Sequence, residues 1–185
     1  MIKTREWAIL ASGVLAFLVP TYFAWTVYQS QQPQNVASWS MVLLLDALGL
    51  ILAYRDGNKK PYLQWGWVLA AACIVLAIAL GGSPWHWGWT ESVSLFFCGI
   101  SIILWLTLSA RIALWAYMAA MYIAFVPLMA DYWHDPRPET LWLWYWTIGT
   151  CLLAIYGATK RDFANTFVPW GAIVLNAIFV WLCIR

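Results

Sequence analysis

Asp46 and Asn176 are the residues with most chemistry to offer, because each is polar and each lies deep inside an apolar run. Asp46 follows Met41–Leu45 and precedes Ala47–Ala53. A bare carboxylate at the centre of a membrane helix costs at least about 2.5 kcal/mol, so its side chain is expected to face a bundle interior. There it can be protonated, paired, or hydrogen-bonded to a ligand. No Lys or Arg sits at matching depth in another run, which argues against a buried ion pair. The competing role is a neutral carboxylic acid stapling two helices together. An amide at Asn176 is open to the same two roles, staple or ligand reader.

Pro20 and Pro127 also fall within apolar runs. Each removes a backbone hydrogen bond and frees carbonyls that should face a cavity or a neighbouring helix. Tyr22, Gln29, Ser92, Ser94, Ser101, Tyr122, Thr147 and Thr150 add uncharged hydrogen-bonding groups. Glu91 sits at the mouth of the fourth run, close to His86. Asp131, His134, Asp135 and Glu139 cluster in one stretch beside the fifth. A solvated loop explains that cluster better than a metal site, because no two members have a ligand spacing fixed on one helix.

What must position these groups is a membrane-embedded helical bundle. Hydrophobic residues make up 64% of the 185-residue chain and charged residues 10%, against nearer half and a quarter in soluble domains. Seven apolar runs, at 7–28, 38–54, 62–80, 90–108, 112–132, 140–158 and 166–184, are each long enough for a helix to cross about 30 Å of hydrocarbon. Their connections are short, so the expectation is a single all-α polytopic transmembrane domain over 1–185. Lys3 and Arg5 before an apolar run imitate a signal peptide, but Pro20 interrupts the run and no A-x-A-like site follows. Residues 7–28 are therefore read as a retained first helix.

The positions of the charges say more than the net charge of +2. With seven spans, Lys3, Arg5, Arg55, Lys59, Lys60, Arg111, Lys160 and Arg161 share one side, and only Arg137 and Arg185 occupy the other. The positive-inside rule then puts the N-terminus in the cytoplasm and the C-terminus outside, in a bacterial inner membrane. The four cysteines (Cys73, Cys98, Cys151, Cys183) fall in apolar runs with no C-x-x-C or Cys/His spacing, and read as small buried hydrophobes. Sixteen tryptophans are several times ordinary usage. Trp7, Trp39, Trp65, Trp67, Trp85, Trp87, Trp89, Trp142, Trp170 and Trp181 fit an aromatic belt at the headgroups. Trp105, Trp115, Trp133, Trp144 and Trp146 are better candidates to stack on a ligand. On a helix Trp142 and Trp146 share one face and Trp144 takes another, so only one of those sets can line a cavity.

One pattern of Pro, polar loop and Trp occurs twice, from Pro20 through Gln29–Asn35 to Trp39, and from Pro127 through Asp131–Thr140 to Trp142. In both, a loop proline (Pro33, Pro136) precedes the Trp by the same interval, and the next run ends at a Tyr (Tyr54, Tyr156). A three-helix unit used twice is a transporter signature. The stretches Val19-Pro20-Thr21-Tyr22 to Gln34-Asn35-Val36-Ala37-Ser38-Trp39, and Phe125-Val126-Pro127 to Glu139-Thr140-Leu141-Trp142, resemble the two repeats of PQ-loop and SWEET sugar transporters. Glu91-Ser92-Val93-Ser94, Ser101, Trp105-Leu106 and Arg111 to Trp115 are similar to the Pnu-type vitamin transporters, which carry nicotinamide riboside, thiamine or riboflavin. The resemblance implies a 3+1+3 arrangement, with repeat 7–80, linker helix 90–108 and repeat 112–184. The chain departs from the SWEET pattern at Thr21 and Leu128 after the prolines, at Trp170 after the last proline, and at Gln64 and Trp65 in the third run. Its first loop lies outside by charge, whereas that of SWEET proteins is cytosolic, which favours the Pnu-like side.

The leading expectation is a facilitator for a small, neutral, polar solute, such as a nucleoside-like vitamin precursor or a sugar, working by alternating access. Its expected solute-binding residues are Asp46, Asn176, Trp105, Tyr22, Gln64 and Trp144, with Pro20 and Pro127 as hinges. No catalytic residue, metal or cofactor is expected. Partners are the lipid bilayer and the solute but no nucleic acid, and homo-oligomerisation is left open. An intramembrane enzyme acting on a lipid or isoprenoid is the second reading; it would draw on Asp131, His134, Asp135 and Glu139. A structural subunit of a larger membrane complex is the third. A retinal protein is excluded, since the seventh run has no Lys for a Schiff base. Reporter fusions should place the N-terminus in the cytoplasm and Arg185 outside; both termini on one side would remove the seven-span arrangement.

Overall fold

The computed structural model describes residues 2–30, 34–158 and 163–185. Pro33 of the first loop, and Lys160 and Arg161 of the charge tally, lie outside the described residues. The described residues form α1 (Ile2–Ser30), α2 (Val36–Arg55), α3 (Tyr62–Leu80), α4 (Trp89–Thr107), α5 (Ala110–Ala124), α6 (Val126–His134), a 3-10 turn (Pro138–Thr140), α7 (Leu141–Gly157) and α8 (Ala164–Ile184). Local signals set the ends. Asn35 accepts a hydrogen bond from the Ala37 amide at the start of α2, and Ser109 accepts one from Ile112 at the start of α5. After α2 and α3 the chain turns at Gly57 and Gly82, whose φ of +96° and +72° suits a residue without Cβ.

This is an all-helical polytopic membrane protein. Among the described residues six helices are long and apolar enough to span a bilayer, with α5 and α6 counted together as 110–134. That corrects the expected seven. The 140–158 run yields an α7 of only 17 residues, because the 3-10 turn after Pro136 takes up Thr140 and the helix stops at Gly157. At 1.5 Å per residue α7 covers about 25 Å, less than the hydrocarbon thickness. The 112–132 run is also interrupted: Phe125 separates α5 from α6, and Pro127 stands in the first turn of α6. Pro20, in contrast, lies inside an α1 that continues without a break.

The third helix of each triplet packs on its partners. Thus α3 lies against both α1 and α2, and α8 against α7 and the α5–α6 rod. Across the middle, α1 packs on α7 and α2 on α5; exchanging the triplets turns each of these contacts into the other. α4 stands outside this set, against α5 and α2.

The tightest contact joins α1 and α3. A Cβ on Gly13 would come within 2.5 Å of the Tyr62 carbonyl oxygen, and one on Gly66 would overlap the Gly13 carbonyl and sit 2.8 Å from Ala16 Cβ. Only glycine permits this approach, the small-residue packing on which helix association in lipid depends. At the same end, Lys60 pairs with Glu6 (2.7 Å), Arg111 with Asp56 (3.1 Å), and the Arg55 guanidinium lies 5.3 Å from the Trp105 ring centroid. The hydrogen bond from Lys60 to Glu6 and that carboxylate's charge hold the exposed ammonium above its ordinary pKa. Arg55, Lys60 and Arg111 are thereby gathered at one end, the basic end.

Gly66→Ala should lower the thermal unfolding midpoint in detergent, since overpacking against backbone typically costs about 1–3 kcal/mol. An unchanged midpoint would show that α1 and α3 can separate freely.

Candidate functional site

α2 presents Trp39, Val42 and Asp46 along one face, the i, i+3, i+7 spacing that puts side chains in line. That face borders a cavity of about 110 Å³. Its wall draws on Pro20 and Phe23 of α1, Trp67 and Ile74 of α3, Tyr117 and Met121 of α5, Trp144 and Thr147 of α7, and Leu175 and Asn176 of α8, together with Phe125 at the α5–α6 break. α4 contributes none of the wall. Asp46 lies near the middle of α2, about 15 Å from its first residue, and Asn176 about 12 Å from the end of α8.

Asp46 is 7% exposed and has no hydrogen-bond or ion-pair partner among the described residues. Among the described residues no Lys, Arg or His lines the cavity. The Asn176 amide nitrogen donates to the Ala172 carbonyl (2.7 Å) and the Thr147 hydroxyl to the Leu143 carbonyl (2.8 Å). A carbonyl only accepts, so the Asn176 bond also fixes which end of the amide points where. The polar groups of the wall with valences left free are therefore the Asp46 carboxyl, the Tyr117 hydroxyl, the Trp67 indole N–H, the Asn176 amide (its Oδ1 and its second N–H) and the lone pairs of Thr147.

A smaller cavity of about 30 Å³ lies toward the far end, bordered by Gln34, Asn35, Ser38, Pro127 and Asp131. Trp39, Val42 and Phe125 border both cavities. Trp39 and Phe125 meet edge to face with centroids 6.3 Å apart, and the Trp39 N–H donates to Gln34 Oε1 (3.5 Å). Two rings thus separate the two spaces.

The rim beside the smaller cavity is built on Glu91, which is 3% exposed. Its carboxylate accepts from the Ser38 hydroxyl, from the Gly88 amide and Thr90 hydroxyl (both 2.9 Å), and from Asn35 Nδ2 at 3.4 Å. Asn35 also donates to the His86 carbonyl (2.8 Å). One buried acid so ties α4 and its preceding loop to α2.

Of the residues expected at the site, Asp46, Asn176, Trp144 and Pro20 line the larger cavity and Pro127 the smaller. Three lie elsewhere. Tyr22 is exposed beside Trp142, with centroids 5.3 Å apart. Trp105 stands at the basic end under Arg55. Gln64 is buried one turn from Trp67 toward the basic end, with both amide atoms unpartnered among the described residues. Trp39 and Trp67, assigned above to the headgroup belt, border the cavity; for Trp39 the register with Asp46 was the available signal. Trp115, Trp133 and Trp146 are exposed. Asp131, His134, Asp135 and Glu139 are exposed too, with Asp135 near Arg137 at 3.6 Å. Among the described residues no three His, Cys, Asp or Glu side chains converge as metal ligands.

No family model, curated protein or solved structure matches this chain at a significant level.

Glu91→Ala should lower stability by about 1–3 kcal/mol, because it leaves four donors, Thr90 buried and the others part-buried or exposed, without their acceptor at once. Glu91→Gln should recover only part of it, since one amide end cannot accept from the Gly88 N–H. Unfolding midpoints equal to that of the unmodified protein would show that α4 is held by other contacts.

Proposed function

We propose that this protein is a membrane facilitator for a small polar solute, working by alternating access of two three-helix units, α1–α3 and α5–α8, about the cavity at Asp46. The observation that carries the reading is the cavity itself. It lies near mid-depth, at the junction of the two triplets, with every helix of both triplets except α6 in its wall and α4 outside it. Transporters built on repeats hold their substrate near the bilayer midplane at the repeat interface.

Three further features support it. The contacts of α1 with α7 and of α2 with α5 interchange when the triplets do, as rocking about a pseudo-two-fold axis requires. α4 then serves as the linker that brings the second triplet back in the same orientation. In this reading α7, though not among the six full-length spans, also crosses: its 17 residues lie at the short end of the spanning range, a locally thinned bilayer meets them, and the 3-10 turn carries the chain to its first residue. The basic end is cytoplasmic under the positive-inside rule, giving a cytoplasmic N-terminus and an external C-terminus. Trp39 and Phe125 then close the external side, and Pro127, beside the break between α5 and α6, is the point where that rod bends, while Pro20 lies within a continuous α1.

The test is counterflow of small solutes into proteoliposomes. Asp46→Asn keeps volume and hydrogen bonding, so the fold should persist. Uptake should fall about tenfold or more, the loss expected when a charged hydrogen bond of about 1.5–3 kcal/mol is weakened. Asp46→Leu should fold as well, because Asp46 holds no neighbour by a hydrogen bond among the described residues, and even a membrane-buried staple typically contributes only about 0.6 kcal/mol. Uptake unchanged in both variants would show that Asp46 is neither site nor gate.

A further inference from the structure

We infer that the ligand recognised at the larger cavity is a small organic cation, an alkyl- or quaternary ammonium about the size of tetramethylammonium, held by the Asp46 carboxylate among aromatic rings. This deepens the transporter reading and rests on it for transport, but not for binding.

Charge is the first argument. Asp46 is nine-tenths buried and unpartnered among the described residues, and nothing cationic lines its cavity. At the basic end Arg55 lies over Trp105, Lys60 pairs with Glu6 and Arg111 with Asp56, and Lys59 is exposed there, away from the cavity wall. A carboxylate in such a place either takes up a proton or stays ionised beside a positive charge, and the protein supplies none among the described residues, so an ionised Asp46 calls for a cationic ligand.

The remaining polar atoms point the same way. Thr147 has its hydrogen engaged by a backbone carbonyl and keeps only acceptor lone pairs, while Asn176 keeps Oδ1 and one N–H and Tyr117 its hydroxyl. The Trp144 indole N–H is covered and reaches no open space. An anion needs a positive charge in the wall and a sugar a dense ring of hydrogen-bonding groups; one acid and a few uncharged polar groups among apolar side chains suit a small cation better than either.

Phe23, Trp39, Trp67, Tyr117, Phe125 and Trp144 supply the aromatic part of the surface, alongside aliphatic and methionine side chains. Aromatic walls attract a desolvated ammonium through the negative potential of their faces, and recognise its methyl groups by dispersion. Size completes the argument. About 110 Å³ is in the range of engineered cavities that take one benzene-sized guest, and well below drug-sized sites.

The experiment compares choline with 3,3-dimethyl-1-butanol, its neutral carbon analogue, by calorimetric titration of the full-length protein in detergent. Choline should bind at least about tenfold more tightly than the alcohol. Asp46→Asn should remove that preference and leave the alcohol's affinity within about twofold. Equal affinities for the two compounds would overturn the inference, as would failure of both choline and tetramethylammonium to bind in the millimolar range. A proton alone neutralising Asp46 gives the first of those results. Should the Asn variant fail to fold, the cation-to-alcohol ratio of the unmodified protein decides alone. Choline binding without counterflow in proteoliposomes removes the transporter reading and keeps the cation site. Counterflow of a neutral solute with no cation binding does the reverse.

Discussion

Helices immersed in lipid gain nothing by hiding apolar surface from one another, since the lipid is as apolar as their side chains. What holds this bundle must therefore be close backbone approach and buried polar contacts. Gly13 and Gly66 provide the first. Without Cβ atoms there, α1 and α3 pass close enough for dispersion between backbones to add up over a long shared face. The first triplet so becomes a firm unit with α2 held against α3. Gly49 repeats the device across the triplets, where a Cβ would meet the Tyr117 ring and hydroxyl at 2.7 Å. Small residues at the crossings leave the large ones free to wall the centre.

Polar contacts act at the two ends and hold different things. At the basic end, Lys60–Glu6 is an exposed pair worth at most about 1 kcal/mol, which can break and re-form. Arg111–Asp56 joins an exposed guanidinium to a carboxylate only 7% exposed, so it holds more firmly. At the far end Glu91 is buried and bound by four donors, so loosening it would leave several groups unpaired at once. α4 is thereby fixed firmly to α2 at one end and through α5 along its length. Ser101 adds to that grip by donating to the Ala113 carbonyl. Since α5 belongs to the second triplet, α4 bridges the two units without entering the cavity between them.

The sequence made the membrane class, the helix positions and the depth of Asp46 and Asn176 legible, because these follow from run length and from the cost of polarity in hydrocarbon. Asp46 needed no structure to be assigned inward. Rotation about each helix axis was harder. Tyr22 and Trp39 both lie near the first loop, and composition gave no reason to turn one outward and the other in. Trp39 could have been placed by its register with Asp46, but Tyr22 depends on where α7 packs, which only the tertiary contacts decide. Gln64 and Trp105 failed for a second reason. Their helices were placed correctly, but neither side chain reaches mid-depth. The shortening of α7 was hidden as well, because Thr140 reads as part of an apolar run until the prolines before it wind the chain into a 3-10 turn.

The two prolines, alike in the sequence, differ in consequence. Pro20 leaves α1 continuous, so its missing hydrogen bond frees a carbonyl within an intact rod that packs on both α3 and α7. Pro127 lies just beyond Phe125, where α5 ends and α6 begins. The ring of Phe125 is thus carried on the break itself, and it touches Trp39 on one side and Phe179 on the other, with centroids 5.8 Å apart. A small rotation at that break moves the ring that separates the two cavities. The same rotation in α1 would have to shear a glycine-packed interface. Flexibility in this bundle is therefore concentrated on the second triplet, beside the far-end cavity, while the first triplet holds Asp46 still.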